Sequence, residues 1–234
     1  NEILSGRTQD KNVSFISKWL NSKCGISVLE VRIIPDIQNI IVKSVLSLSK
    51  KYNYVFTTGG IGPTHDDITA ESISKAFKIN YEINSEAYKI LDKYYGKKDF
   101  NIPRQKMSKM PKGSKLIYNP SSAAPGFKIK NVFVLPGVPS ILNSMIDNCK
   151  PYLIKGLKVE SKTLNLFTVE SKISKELEDI QNKYYSSLTI GSYPFFRLGK
   201  IGVSVVIRSE NKKKLINCYK EIKKMVILKK IKFY

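Results

Sequence analysis

Apolar residues recur along this chain at two spacings, and the spacings sort most of it into elements. Val13, Ile16, Trp19 and Leu20 fall three and four apart, which predicts a helix over 11–23 with Asp10 or Asn12 placed to cap it. "ISVLEVRII" (26–34) is rich in β-branched residues and predicts a strand. Pro35 and Asp36 then open a second helix that puts Ile37, Ile40, Ile41, Val45 and Leu48 on one face, and Asp36 reads first as a helix-start acid. "YVFTT" (54–58) is a short, continuously apolar run, the pattern of a strand buried on both faces of a parallel sheet. A glycine-rich turn follows, with a helix from about Thr69 to Phe77 and another over 84–95 carrying Ala87, Ile90, Leu91 and Tyr94.

Residues 97–126 lose the periodicity and carry Pro103, Pro111, Pro120 and Pro125, so an irregular connection is expected there. "FKIKNVFVLPGVPS" predicts a hairpin turning on Lys130 and Asn131, then a proline-glycine turn and a helix from about Val138 to Cys149. Residues 150–162 read as a boundary. Beyond them come a strand (163–169), a helix (172–184), two strands (188–193 and 201–208) and a last helix (211–226). The alternation of strand and helix predicts an α/β class, a three-layer αβα domain with a mostly parallel sheet over 1–155. The remainder predicts a small α+β domain of βαββα order over 160–234.

Composition changes this picture only in part. Of 234 residues, 42% are hydrophobic and 25% charged, an ordinary globular balance. No run reaches the ~20 apolar residues of a spanning helix. The chain opens at "NEIL" with no leader legible, so a cytoplasmic protein with no membrane partner is expected. Cys24, Cys149 and Cys218 form no paired motif, which favours reduced thiols over disulfides or zinc. The net charge of +21 could mark nucleic acid or an anionic substrate. Almost all of it is lysine, spread along the chain, whereas readers of phosphate and base edges lean on arginine. A solvated basic surface is the expectation, and nucleic acid is not the expected partner. Such a surface still draws anions toward a cleft.

In an open parallel sheet, ligands bind beyond the carboxyl ends of the strands. Three segments fall there: Pro35-Asp36, "TTGGIGPTHDD" (57–67) and "LPGVPS" (135–140). The glycine turn lets backbone approach a ligand, and the helix after it presents its positive end, which suits a phosphate. It is neither a Walker A loop nor GxGxxG, since His65 stands where a third glycine would be. On spacing alone an anion site and a tight turn remain equal readings. Asp66 and Asp67 shift the balance: one acid could cap the helix, but two beside a phosphate loop make sense with a divalent cation between carboxylate and phosphate. His65, the one histidine, has no triad partner pattern and reads as a loop or contact residue. Ser121 and Ser122 could donate to a phosphate or simply form their loop.

"NEILSGRTQDKN", "PD" at 35–36, "TTGGIGPTHDDITAE" and "LPGVPS" occur in that order and together resemble the molybdopterin-binding (MoaB/Mog) domain family. They are most similar to the branch found in competence/damage-inducible protein A and in eukaryotic FAD synthase. The resemblance covers about residues 1–150. The family pattern carries a first strand ending in "IG[ND]E", so this chain is expected to lack most of that strand. By resemblance, Thr58, Gly59, Gly60 and Gly62 contact ligand phosphate, with Pro63 and Thr64 continuing the binding loop. Asp67 stands at the family's essential loop aspartate, and Asp36 at its second aspartate. Pro136, Gly137 and Pro139 close the other side of the pocket, while Glu2, Asp10 and Asn12 match positions lining the same cleft.

What the resemblance implies differs between branches. Mog-type enzymes adenylylate molybdopterin with Mg-ATP; the branch carrying "GPTHDD" rather than "GPARRD" is associated with hydrolysis of nucleotide pyrophosphates such as ADP-ribose or FAD. The expectation is therefore a metal-dependent pyrophosphate hydrolase. Asp67, Asp36 and Asp66 would be catalytic, and Asp66 and Asp67 would hold Mg²⁺, Co²⁺ or Ni²⁺. Molybdopterin is the alternative ligand, as in a molybdopterin-binding or adenylyltransferase-like protein, and a non-catalytic nucleotide or RNA module is the second alternative. The family implies a homo-oligomer, dimer ahead of trimer. Residues 160–234 resemble the KH-like domain of competence/damage-inducible protein A; the nicotinamide-nucleotide deamidase domain of that protein has no counterpart here. "GKIG" (199–202) matches GxxG but precedes a strand, so it reads as a hairpin turn, and "SYPFFR" (192–197) reads as a docking surface ahead of a base-stacking one.

Overall fold

The computed structural model describes residues 1–197 and 199–234, with Arg197, the last residue of "SYPFFR", described by its backbone alone. The chain divides into two compact units, Asn1–Trp19 with Val28–Ile154, and Leu20–Ser27 with Lys155–Tyr234.

The first unit is built on a four-stranded sheet of order β1-β6-β5-β4, formed by β1 (Val55–Thr58), β4 (Lys115–Ile117), β5 (Gly126–Ile129) and β6 (Val132–Leu135). β1 and β6 run parallel, whereas β6–β5 and β5–β4 are antiparallel, so the sheet is mixed. All four residues of β6 are buried, because it lies between two partners and is covered on both faces. Val132 and Val134 join Ile41 and Val45 of α2 (Gln38–Lys51) and Ile73 of α3 (Thr69–Phe77) in one core. Phe133 points the other way, stacking on Phe56 at 4.6 Å and meeting Tyr152 of the 3₁₀ turn Ile146–Tyr152 that follows α6 (Pro139–Met145). Burying side chains such as Ile73 and Phe127 contributes about 1.5–3 kcal/mol each, enough to fix which face each helix presents.

Smaller elements fill the expected irregular region. β2 (Tyr81–Ile83) pairs antiparallel with β3 (Lys109–Pro111) as a separate ribbon. Between them lie α4 (Ser85–Asp99), capped by Asn84, and the short α5 (Ile102–Lys106), capped by Asn101 with a proline in its first turn. Pro103 stands in the first turn of α5, where its missing N–H costs nothing, and the absence of periodicity hid short elements rather than a structureless loop.

The expected strand at 26–34 is not formed: no ladder reaches it among the described residues, and Val28, Leu29, Val31 and Ile33 are exposed. β-branched composition favours a pleated, half-buried surface, but a strand needs a neighbour to receive its N–H and C=O groups. The segment is held by its side chains instead. Glu30 accepts from Lys51 Nζ at 2.9 Å and from Tyr52 Oη at 2.8 Å at the end of α2, Arg32 reaches Ser47, and Ile34 packs on the core.

The second unit contains a three-stranded antiparallel sheet of order β7-β9-β8, from β7 (Glu160–Leu166), β8 (Thr189–Arg197) and β9 (Lys200–Ser209). With α7 (Ser174–Lys183) and α8 (Lys212–Leu228) the order is βαββα. Val203, Val205 and Ile207 alternate inward and pack with Leu177, Leu215 and Ile222. Gly199 in "GKIG" belongs to the turn between β8 and β9, with φ +71°, as a hairpin requires.

Candidate functional site

The glycine turn leaves β1 at its carboxyl end and feeds α3. Gly59 N donates to Leu135 O at 2.9 Å, which continues the β1–β6 ladder one step past Thr58. Thr69 N donates back to Gly60 O at 2.9 Å, closing the loop at the start of α3. Gly59 and Gly60 take φ of +99° and +69°, a region open to glycine at little cost. The N–H groups of Gly60, Ile61 and Gly62 find no acceptor among the described residues. A run of available amides ahead of a helix start is an anion-binding geometry.

The double aspartate splits into two roles. Asp67 Oδ2 accepts from Thr64 N at 2.9 Å and from Thr64 Oγ1 at 2.5 Å, so this carboxylate folds the loop over itself. A Cβ placed on Gly62 would lie 2.6 Å from Asp67 Oδ2, so the third glycine is the space the carboxylate occupies. Asp66 is exposed; the nearby Thr64 side chain, its own backbone N–H, and the charges of His65 and Lys106 hold its carboxyl below the usual value. Asp67, not Asp66, lines the cleft beside the turn. α3 carries no side-chain cap, so neither acid serves as the simple N-cap that the sequence allowed.

That cleft is lined by Gly60, Ile61, Gly62 and Asp67, together with Tyr81, Lys106 and Lys109. Burial, with Glu71 nearby, pushes the Tyr81 phenol up to about 12, so it remains a proton donor at neutral pH. Lys106 Nζ donates to Thr64 O at 2.5 Å, tying the end of α5 to the aspartate loop. Sequence reasoning missed Tyr81, Lys106 and Lys109. Nothing in "PRQKMSKMP" marks a site, and only the packing of the α5–β3 segment beside the turn brings these residues in.

The turn after β6 meets the glycine turn directly. A Cβ on Gly137 would lie 3.2 Å from Gly59 Cα, so two glycines permit the two backbones to touch. Asn12, at the start of α1 (Asn12–Trp19) and only 7% exposed, donates from Nδ2 to Gly137 O at 2.8 Å, and its Oδ1 is buried without a partner among the described residues. Thr58, Gly59, Gly137 and Asn12 are thus brought together, with Pro136 and Pro139 flanking Gly137; Pro139 is the first residue of α6. Pro63 and Thr64 sit in the exposed part of the loop. Asp10 caps α1, accepting from Val13 N at 2.8 Å.

Other expected residues lie elsewhere. Glu2 is exposed beside the chain start. Asp36 is half-buried, its backbone N–H donates to Asn1 Oδ1 at 3.4 Å, and it forms no cap for α2. Ser121 and Ser122 receive the loop-forming reading. Their N–H groups donate to Asn119 Oδ1, Ser122 Oγ accepts from Asn119 Nδ2, and Ser121 Oγ donates to Ser144 Oγ at 2.7 Å. None of these four residues lines the cleft. No group of three metal-ligating side chains exists among the described residues. The donor set at the cleft fits a divalent cation only as Mg²⁺ commonly sits on nucleotides, with one carboxylate and the remaining oxygens from ligand and water.

Comparison with known proteins places this geometry. The family described as "Probable molybdopterin binding domain" matches residues 1–155. The chain belongs to the molybdopterin-binding domain family. A second match, described as "FAD synthase, middle domain", covers residues 158–234. A protein of Archaeoglobus fulgidus is 34% identical over 95% of this chain and 94% of its own length. A Clostridium botulinum protein with the provisional name competence-damage inducible protein is 30% identical over 96% of this chain but only 56% of its own. The crystal structure of a CinA protein of unknown function from Thermoplasma acidophilum superposes with a TM-score of 0.62 at 32% identity, covering 66% of this chain and 93% of that one. The mixed α/β class agrees with the molybdopterin-binding family and with the CinA structure. No helix among the described residues is long and apolar enough to cross a membrane.

Proposed function

We propose that the chain is a nucleotide-pyrophosphate hydrolase acting on ADP-ribose or an FAD-like dinucleotide with a divalent cation. The observation that carries the reading is the row of available amides at Gly60, Ile61 and Gly62 beside the Asp67 carboxylate in one cleft. Amides at a helix start stabilise charge on a bridging diphosphate, and preorganised donors of this kind supply a large share of phosphoryl-transfer catalysis. Asp67, with Oδ2 fixed by Thr64, keeps its other oxygen for a cation or an attacking water. A bound divalent cation would neutralise the diphosphate and polarise its phosphorus. Water then adds its oxygen to one phosphorus, the anhydride P–O bond breaks, and the water proton passes to the carboxylate or to solvent. AMP and ribose 5-phosphate, or AMP and FMN, leave. The second match, to the FAD synthase middle domain, supports a nucleotide-linked setting.

A second reading, molybdopterin binding or adenylylation, draws on the family's description. The two separate by incubating the full chain with ADP-ribose or FAD and Mg²⁺, Co²⁺ or Ni²⁺ and assaying for AMP. Release of AMP is expected. No turnover with any of these metals would sink the hydrolase. Asp67→Asn keeps a carbonyl oxygen for Thr64 while removing the charge, so activity should fall roughly a hundredfold or more with the melting temperature little changed. Full activity in that variant would place the chemistry elsewhere.

A further inference from the structure

Lys106 is not explained by folding alone. It is partly buried at the end of α5, and the one hydrogen bond of its ammonium among the described residues is the one to Thr64 O. An ammonium has three donors, and a neutral carbonyl satisfies one of them. Neither Lys106 nor Lys109 enters an ion pair among the described residues, yet both line the cleft that holds the available amides. Two cations that line the same cleft as a row of N–H groups suit a multiply charged anion. The single cleft-lining acid, Asp67, is turned toward Thr64 rather than toward either lysine.

We propose that Lys106 is the counter-charge for the ligand's diphosphate. In the ligand-free chain its ammonium rests on the Thr64 carbonyl. On binding, the remaining donors engage a phosphate oxygen across the glycine turn, with Lys109 adding charge to the same cleft. Lys106 thereby joins ligand to aspartate loop, since Thr64 carries both the carbonyl it holds and the groups that fix Asp67. This rests on the pyrophosphate reading above and names a binding contact for it, not a proton carrier.

The test compares Lys106→Gln and Lys106→Arg in the full chain, with ADP-ribose binding by calorimetry, its salt dependence, KM and kcat, and melting temperature. A glutamine amide can still donate to Thr64 O, so Lys106→Gln should melt as the wild type does while binding roughly tenfold or more weakly. Its salt dependence should flatten and KM should rise more than kcat falls, while Lys106→Arg should stay near wild type. If Lys106→Gln binds with wild-type affinity and salt slope, the contact is overturned while the hydrolase reading stands. If both variants lose melting temperature and affinity together, Lys106 is a loop tether and the proposal is likewise overturned. If the wild type itself binds neither ADP-ribose nor FAD, the pyrophosphate reading fails and this contact fails with it.

Discussion

At the scale of single residues, the glycine turn is set by what each missing side chain leaves room for. A Cβ on Gly60 would lie 2.1 Å from Thr69 Oγ1, at a φ of +69°. Gly113 takes φ +78° with nothing within 4 Å of an added Cβ. Gly113→Ala should therefore report the conformational penalty alone, about 1 kcal/mol, whereas Gly60→Ala should add crowding against α3 and lose roughly 2–4 kcal/mol. Urea unfolding of the two variants checks this, and equal losses would mean that the contact with Thr69 yields freely. Permissive backbone and a carboxylate beside it were legible in "TTGGIGPTHDD". That Asp67 folds back into the space of Gly62 was not, because spacing does not say which way a loop carboxylate turns; nor was the contact of Gly59 with Gly137, because it depends on how two turns far apart in sequence converge. Ser121 and Ser122 show the converse. Their chemistry suited phosphate, but Asn119 uses their groups to build a turn.

Among elements, residues 26–34 show how far propensity reaches. Their composition is that of a strand, but the ladder that defines one is absent among the described residues, and side-chain bonds anchor the segment to α2. Hydrogen bonds from Lys51, Tyr52 and Arg32 lower the Glu30 carboxyl from 4.5 to about 2. A depressed folded-state value means that this anchor stabilises the fold above the ordinary carboxylate range and is lost as pH falls through about 2. The melting temperature of Glu30→Gln should then fall less steeply than that of the wild type between pH 4.5 and pH 2. Parallel curves would show that the anchor contributes nothing. The α5–β3 segment is the opposite case: four prolines suggested irregularity, yet short elements there deliver Lys106 and Lys109 to the cleft. Local sequence carries little signal for elements of three to five residues, since their stability comes from what they pack against.

For the molecule as a whole, a net charge of +21 bears on how ligands arrive rather than on fold. Association of an anionic dinucleotide, followed by stopped flow, should slow several-fold as salt rises from about 50 mM to about 500 mM, with dissociation much less affected. An association rate indifferent to salt would mean that the lysines are too dispersed to steer. The sequence by itself determined the class of each unit, because apolar periodicity decides which face is buried and four ordered motifs specify a family. It also located the glycine turn and its aspartates at the carboxyl end of β1. Tertiary structure alone decided that the sheet is mixed, that 26–34 pairs with no strand among the described residues, that Asp67 rather than Asp66 faces the cleft, and that two lysines some forty residues downstream share it. The physical reason is range. Propensity, capping and periodicity act over a few residues and are written locally, whereas strand partners and cleft walls are chosen by packing between segments that no local pattern relates.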